Sequence, residues 1–372
     1  MRKVGIVTYW TPDNYGAVLQ AYALQTVVSR LGFDCEIVNY VCKPRRKKPR
    51  FQIPRNPVNM LRNIKVALEK HYRVPQKRDG FRRFRECFLK LTPHYDVASE
   101  IDTSCFSALI AGSDQIWNPN INEWDSAYWL AFASGGKLRK IAYAPSFGRA
   151  ALTDAQKREY SEYLKDFQSV SCRETDGVAL IRSELGRPDA VQTIDPTLLL
   201  DVGDYEKCRE EYAGRPERYV LCFHVGVVNA GNPLFAIARD VSRRLGLPVI
   251  TVSNEVYSRS FFPPRFISPS PGEALDLIKN AAFVVTNSFH GMVFSIQYGR
   301  EVLVYTGSQR ENRVATLLDM CGIGERLLVE YRSGDFLPIN DAIDYGRVKD
   351  VLCKSRVDSM SFLKTALDQC RA

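Results

Sequence analysis

The sequence has 372 residues and contains no apolar run near the roughly 20 residues that a bilayer-spanning helix needs. Its opening, Met1-Arg2-Lys3-Val4-Gly5-Ile6-Val7-Thr8, starts basic, but its apolar stretch is too short for a secretory leader and reads as a strand. A cytoplasmic location is the expectation. None of the ten cysteines stands in CxxC spacing, and Cys35, Cys222 and Cys321 fall in apolar runs. Free thiols of a reducing compartment are expected, with neither a disulfide framework nor a zinc site. GxGxxG is missing, so a dinucleotide cofactor gains no support. No metal-ligand cluster, Ser-His-Asp arrangement or internal repeat is visible, and there are only four histidines.

Negative charge is the minority: the formal net charge is +9. Much of the excess lies in two runs, Lys43-Pro44-Arg45-Arg46-Lys47-Lys48-Pro49-Arg50 and Lys77-Arg78-Asp79-Gly80-Phe81-Arg82-Arg83-Phe84-Arg85. Such a field attracts any anion. No zinc finger, RNP motif or basic helix-turn-helix accompanies it, so nucleic acid is not the expected partner. Between the runs, Val58, Leu61, Ile64 and Leu68 share one face of a helix expected over Val58–His71, with Arg62, Lys65 and Lys70 elsewhere. A basic amphipathic helix of this kind either packs on its own domain or lies peripherally on an anionic membrane.

With 45% hydrophobic residues, the chain is long enough for two cores. Short β-branched runs alternate with helical periodicity through both halves, which predicts α/β architecture: two Rossmann-like, doubly wound parallel sheets facing a cleft. The first domain is placed at 1–202, with a basic insertion at 43–95. The charged stretch 203–218, with Gly214 and Pro216, is read as the linker, and the second domain as 219–344. A final helix in 345–372 is expected to cross back to the first domain. Ser270-Pro271-Gly272-Glu273 reads as a capping box that opens a helix.

The candidate site centres on Ala281-Ala282-Phe283-Val284-Val285-Thr286-Asn287-Ser288-Phe289-His290-Gly291-Met292. This is a buried strand feeding a helix through a polar turn, and in such sheets ligands sit beyond the carboxyl ends of the strands. The free N–H groups of the following helix favour an anion. Comparable strand ends carry Gly112-Ser113-Asp114-Gln115 and Ser171-Cys172-Arg173-Glu174. Arg173 is either an ion-pair partner of Glu174 or a neighbouring carboxylate, or a fork for a carboxylate or phosphate ligand. With His290, Arg310 and Arg313 across the cleft, the collection suits a small, highly charged anion.

Five groups of residues carry a resemblance: Asn14-Tyr15-Gly16-Ala17 with Leu19-Gln20-Ala21-Tyr22; Gly112-Ser113-Asp114-Gln115-Ile116-Trp117; Ser171-Cys172-Arg173-Glu174; Asp195-Pro196; and Asn287-Ser288-Phe289-His290-Gly291. None is distinctive alone, but in this order they resemble the polysaccharide pyruvyl transferase family over most of the chain. The resemblance implies a fold similar to GT-B glycosyltransferases. It also implies transfer of pyruvate from phosphoenolpyruvate to two hydroxyls of a sugar as a cyclic ketal, in exopolysaccharide, capsule or cell-envelope synthesis. The acceptor would be a lipid-linked oligosaccharide or a polysaccharide repeat unit. No metal and no organic cofactor would be needed.

By position in those motifs, Arg173 and His290 match residues associated with the donor anion or catalysis, and Arg310 with Arg313 a more variable basic feature. Asp114 and Asp195 are the candidate bases, Asp195 being equally a turn residue before Pro196. Asn14, Tyr15, Gly16, Ser113, Gln115, Asn287, Ser288 and Gly291 are the expected substrate-binding residues. Ala17 departs from a more usual Asn-x-Gly-Asp pattern, on the acceptor side. Two other readings stay open: a GT-B nucleotide-sugar glycosyltransferase, and a non-catalytic glycan- or anion-binding protein on the same scaffold.

Overall fold

The computed structural model describes residues 3–41, 56–122, 125–133, 138–148, 151–258, 260, 265–307 and 312–369. The apolar runs form two sheets whose strand pairs, among the described residues, are all parallel. The first contains β1 (Lys3–Val7), β2 (Asp34–Ile37), β3 (Phe106–Ala111), β4 (Arg139–Ala142), β5 (Ser169–Cys172) and β6 (Val191–Gln192). The second contains β7 (Val220–His224), β8 (Val249–Ser253), β9 (Phe283–Thr286), β10 (Glu301–Tyr305) and β11 (Leu327–Leu328). The central strands β7 and β9 are buried throughout, as covering a parallel sheet on both faces requires.

Strand order is β2-β1-β3-β4-β5-β6 in one sheet and β11-β10-β9-β7-β8 in the other. Each sheet therefore reverses its winding once, between β1 and β3 and between β7 and β9. Loops leaving neighbouring strands at such a point diverge to opposite faces and open a crevice at their carboxyl ends. The polar motifs after β1, β3 and β9 all fall at these two points.

Helix Tyr15–Arg30 follows β1, with Asn14 as its cap: Asn14 Oδ1 accepts from Gly16 N at 2.9 Å and Ala17 N at 3.3 Å. Residues 15–25 are all buried. A helix without a solvated face lies between layers, and here those layers belong to the two halves of the chain. The Tyr15 ring lies 5.3 Å from that of Phe223 on β7. One hydrophobic cluster runs from Val4 and Ile6 on β1 through this helix to Phe223, Phe289 and Met292. The halves thus share a core.

The basic segment is more regular than its composition suggests. In place of the expected Val58–His71, one helix spans Pro57–Phe88, with Pro75 inside it. Phe81 and Phe84 anchor its second half, both buried, the Phe81 ring 5.1 Å from Tyr15 and the Phe84 ring 6.2 Å from Tyr22. Basic neighbours hide that spacing in the sequence. Much of the charge of this second run is also used internally: Arg82 pairs with Asp79 and Glu86, and Arg85 Nη1 lies 3.0 Å from Asp13 Oδ1. The first basic run, 43–50, lies outside the described residues.

In the charged stretch after the helix Val202–Tyr205, Arg209 and Arg215 pair with buried Asp276 at 2.6 and 3.0 Å. The helix Tyr345–Asp368 reaches the first half. Ile194 N donates to Ser359 Oγ at 3.1 Å, and Arg356 Nε donates to Leu198 O at 2.8 Å. The Ser270 capping box forms, Ser270 N donating to Glu273 Oε2 at 2.7 Å. Cys35, Cys222 and Cys321 are buried free thiols, whereas Cys87, Cys105 and Cys353 are exposed.

Candidate active site

Between the two crossover points lies a cavity of about 240 Å³. Asn14, Asp114 and Gln115 line it from the first half, and Asn287, Ser288, His290 and Arg313 from the second. These seven are sequence-expected residues that the tertiary structure brings together. Tyr9, Pro12, Ala17, Ile121, Val225 and Phe289 complete the lining; of these only Ala17 and Phe289 stand within the quoted motifs.

His290 stands in the first turn of helix Phe289–Gln297, capped by Ser288, whose Oγ accepts from Gly291 N at 3.1 Å. With that N–H used, the N–H groups of Phe289 and His290 are the first-turn donors without an intrahelical acceptor. The imidazole is nearly buried because it is seated against Gly16. A Cβ on Gly16 would lie 2.0 Å from His290 Nδ1. The opposite ring nitrogen, Nε2, lies 3.6 Å from Asp195 Oδ2.

Asp195 is a fully buried hub. Its Oδ2 accepts from Arg173 Nη1 at 2.6 Å and lies 3.1 Å from Ser113 Oγ, while Oδ1 accepts from Thr197 N at 3.0 Å and Thr197 Oγ1 at 2.7 Å. Burial alone would push this carboxyl up, but His290, Arg173 and Thr197 together hold it well below the usual carboxylate range. Asp195 therefore stays charged and orients the two groups in front of it.

Arg173 is 4% exposed and packs its guanidinium 4.5 Å from the Phe289 ring centre. Its Nε and Nη2 have no hydrogen-bond partner among the described residues, Nη2 lying 3.9 Å from Asp114 Oδ1. Contrary to expectation, Arg173 does not line the cleft: with Asp195, Phe289 and Arg313 it borders an adjoining cavity of only about 20 Å³, and leaving N–H groups of a buried cation unmet there is costly. Of the partners expected for Arg173, Glu174 or a neighbouring carboxylate, it pairs with the neighbouring Asp195. Glu174 instead accepts from Phe147 N at 2.8 Å, and burial raises its pKa against the pull of Arg173 and Arg313.

Asp114 sits at φ +72°, a left-handed conformation uncommon outside glycine, and is the carboxylate among the lining residues. Such strain at a strand end is characteristic of functional positions. Asn287 ties the second crossover together: its Oδ1 accepts from Val225 N at 2.7 Å and its Nδ2 donates to Val225 O at 2.8 Å.

Four expected substrate-binding residues stand behind the cavity instead of lining it. Tyr15 is buried with its hydroxyl donating to Pro269 O at 3.0 Å, and Gly16 makes room for His290. Ser113 is fully buried against Asp195, and a Cβ on Gly291 would lie 3.0 Å from the Phe223 ring. Arg310 lies outside the described residues. Gln20, quoted in the first motif but not as a site residue, supports the site: its Nε2 donates to Thr8 Oγ1 at 3.0 Å and Tyr9 O at 2.9 Å, fixing the loop after β1. A glutamine inside an apolar helix was the available signal. Among the described residues no cluster of His, Cys, Asp and Glu is arranged to hold a metal ion.

No curated protein matches the sequence. Among solved structures, the chain is similar to a protein assigned as a UDP-N-acetylglucosamine 2-epimerase from Listeria monocytogenes, with 10% identity, a TM-score of 0.49, and coverage of 98% of this chain and 90% of that one. It is also similar to the glycosyltransferase SnogD from Streptomyces nogalater, with 12% identity, a TM-score of 0.44, and coverage of 99% and 98%. The family model for polysaccharide pyruvyl transferase matches residues 14–309, taking in all five motifs and the lining residues Asn14, Asp114, Gln115, Asn287, Ser288 and His290. The chain belongs to the polysaccharide pyruvyl transferase family.

Proposed function

We propose that this protein transfers pyruvate from phosphoenolpyruvate to two hydroxyls of one sugar, forming a cyclic ketal. The observation that carries the reading is the buried Arg173 fork, anchored by Asp195 on one nitrogen, with Nε and Nη2 unmet among the described residues. Phosphoenolpyruvate offers a carboxylate and a phosphate. The Arg173 fork, Arg313 and the first-turn N–H groups beside His290 are donors suited to both.

In this reading His290 gives a proton to the methylene carbon, which leaves C2 as an oxocarbenium-like centre. A sugar hydroxyl adds to C2 and loses its proton to a base, for which Asp114 is the cleft carboxylate. The C2–O bond to phosphate then breaks, and a second hydroxyl closes the ring and releases its proton. The products are the ketal and phosphate, with no oxidation and no required metal or organic cofactor. Asp195 acts by holding Arg173 and His290.

At the positions where a nucleotide-sugar enzyme would offer a carboxylate to the ribose stand Ser295, Gln297 and Tyr298. Ser295 is fully buried, and Gln297 Nε2 donates to Thr197 O at 2.6 Å. The deciding experiment is calorimetry of phosphoenolpyruvate and of UDP-sugars against wild type, Arg173→Lys and His290→Ala. Saturable phosphoenolpyruvate binding that weakens by roughly tenfold or more in Arg173→Lys supports the proposal, since lysine cannot reproduce the fork. UDP-sugar binding without phosphoenolpyruvate binding would favour glycosyl transfer.

The acceptor reading extends to a lipid-linked oligosaccharide presented at a cytoplasmic membrane face. No helix among the described residues is long and apolar enough to cross a membrane. Its support is the helix Pro57–Phe88, on which Val58, Leu61, Ile64, Leu68 and Tyr72 form an exposed apolar stripe.

A further inference from the structure

A second cavity, of about 430 Å³, lies between helix Pro57–Phe88 and the loops at the carboxyl end of β8. It is separated from the catalytic cleft by Tyr15, whose hydroxyl bonds Pro269 on the wall of the second cavity, while its neighbour Asn14 lines the first. The second cavity is lined by Arg73, Lys77, Arg83 and Arg265, with Glu273 as the one carboxylate. That carboxylate is occupied, accepting from Ser270 N in the capping box.

Asp13 and Glu255 act electrostatically on Lys77 and Glu210 accepts from Ser270 Oγ at the wall, so the cations are compensated only in part. Arg83 is paired with Asp79, but Arg73 and Arg265 make no ion pair among the described residues, and Arg73 lies 4.7 Å from the Phe266 ring. Lys77 is 9% exposed, donates to the backbone carbonyl of Asn254 and has its pKa lowered by burial. Like charges gathered in one concave site repel unless an anion joins them. Arg73 and Lys77 stand one helical turn apart, about 6 Å between their Cβ atoms, with Arg265 on the facing loop. That spread suits two linked phosphorus centres better than a single carboxylate.

We propose that this cleft binds a diphosphate group carried by the acceptor. The proposal deepens the reading above and rests on it for the identity of the acceptor. A diphosphate has two natural sources, a polyprenyl carrier and a nucleotide sugar. The exposed apolar stripe on the same helix favours the polyprenyl carrier.

The test is calorimetric titration of inorganic pyrophosphate, at fixed ionic strength and with phosphoenolpyruvate saturating, against wild type and Arg73→Gln/Arg265→Gln. Both side chains are exposed, so the variant is expected to fold, and circular dichroism checks that it does. Expected is saturable binding to wild type, weakened roughly tenfold or more in the variant, with phosphoenolpyruvate affinity unchanged. Farnesyl diphosphate binding more tightly than pyrophosphate, with the same sensitivity, assigns the polyprenyl source; UDP binding more tightly assigns the nucleotide. Pyrophosphate affinity that is absent in wild type, or equal in the two proteins, overturns the proposal. Pyrophosphate binding of the expected pattern in a protein that ignores phosphoenolpyruvate would leave this cleft standing and remove the pyruvyl-transfer reading.

Discussion

Gly16 and His290, far apart in sequence and on opposite sides of the junction between the two sheets, are in direct contact, and the space a Cβ would take at Gly16 is filled by the imidazole. The glycine is needed for close approach, since its backbone lies in an ordinary helical turn. Gly16→Ala is therefore expected to push His290 off Asp195. Turnover should fall by roughly two orders of magnitude, the cost of displacing an acid catalyst. The accompanying loss of stability should be about 1–3 kcal/mol, from overpacking. Steady-state phosphate release and urea unfolding measure the two effects; wild-type turnover in Gly16→Ala would remove His290 from the chemistry.

Asp195 holds Arg173 in the interior. Asp195→Asn strands a buried guanidinium and should cost about 3–5 kcal/mol in urea unfolding. Arg173→Met/Asp195→Asn should recover part of that loss, because it removes the charge along with its partner. Additive losses in the cycle would mean that the two side chains are not coupled.

His224, at the end of β7, is buried, and desolvation lowers its pKa to about 4. The unfolded chain then binds the proton that the folded chain refuses, so stability rises with pH between about 4 and 6.5 and falls as pH drops through that window. The contribution is up to about 3 kcal/mol. Urea midpoints for wild type and His224→Gln should converge on acidification from pH 7 to pH 4; parallel curves would assign the acid loss to other groups.

The stripe on helix Pro57–Phe88 makes the membrane reading testable. Leu61→Glu/Leu68→Glu places charge on two exposed side chains, so the fold should be unaffected. Co-sedimentation with vesicles of anionic lipid is expected for wild type and should be lost in this variant. Equal sedimentation of both would assign the stripe to something other than lipid.

The sequence was sufficient for the parallel α/β architecture, because apolar four- to six-residue strands and capped helices are local signals. The capping box at Ser270 and the strand leading to His290 needed no knowledge of the rest of the chain. The length of helix Pro57–Phe88 was hidden because its anchors, Phe81 and Phe84, are dispersed among charges whose partners, such as Asp13, lie elsewhere. Motif order pointed to Arg173, Asp195 and His290 as separate positions. The roles within that group are set by pairing across the fold, which leaves no trace in local spacing.

What the sequence by itself determined is the two sheets, their turns and the set of polar residues at the strand ends, all fixed by periodicity and capping. Tertiary structure alone decided which of those residues face the cleft. Tyr15, Ser113 and Gly16 share motifs with Asn14 and Asp114, yet packing turns the first three inward as wall, partner of Asp195 and spacer. The physical reason is the shared core: two sheets closing over one buried helix fix the direction of every side chain at the junction.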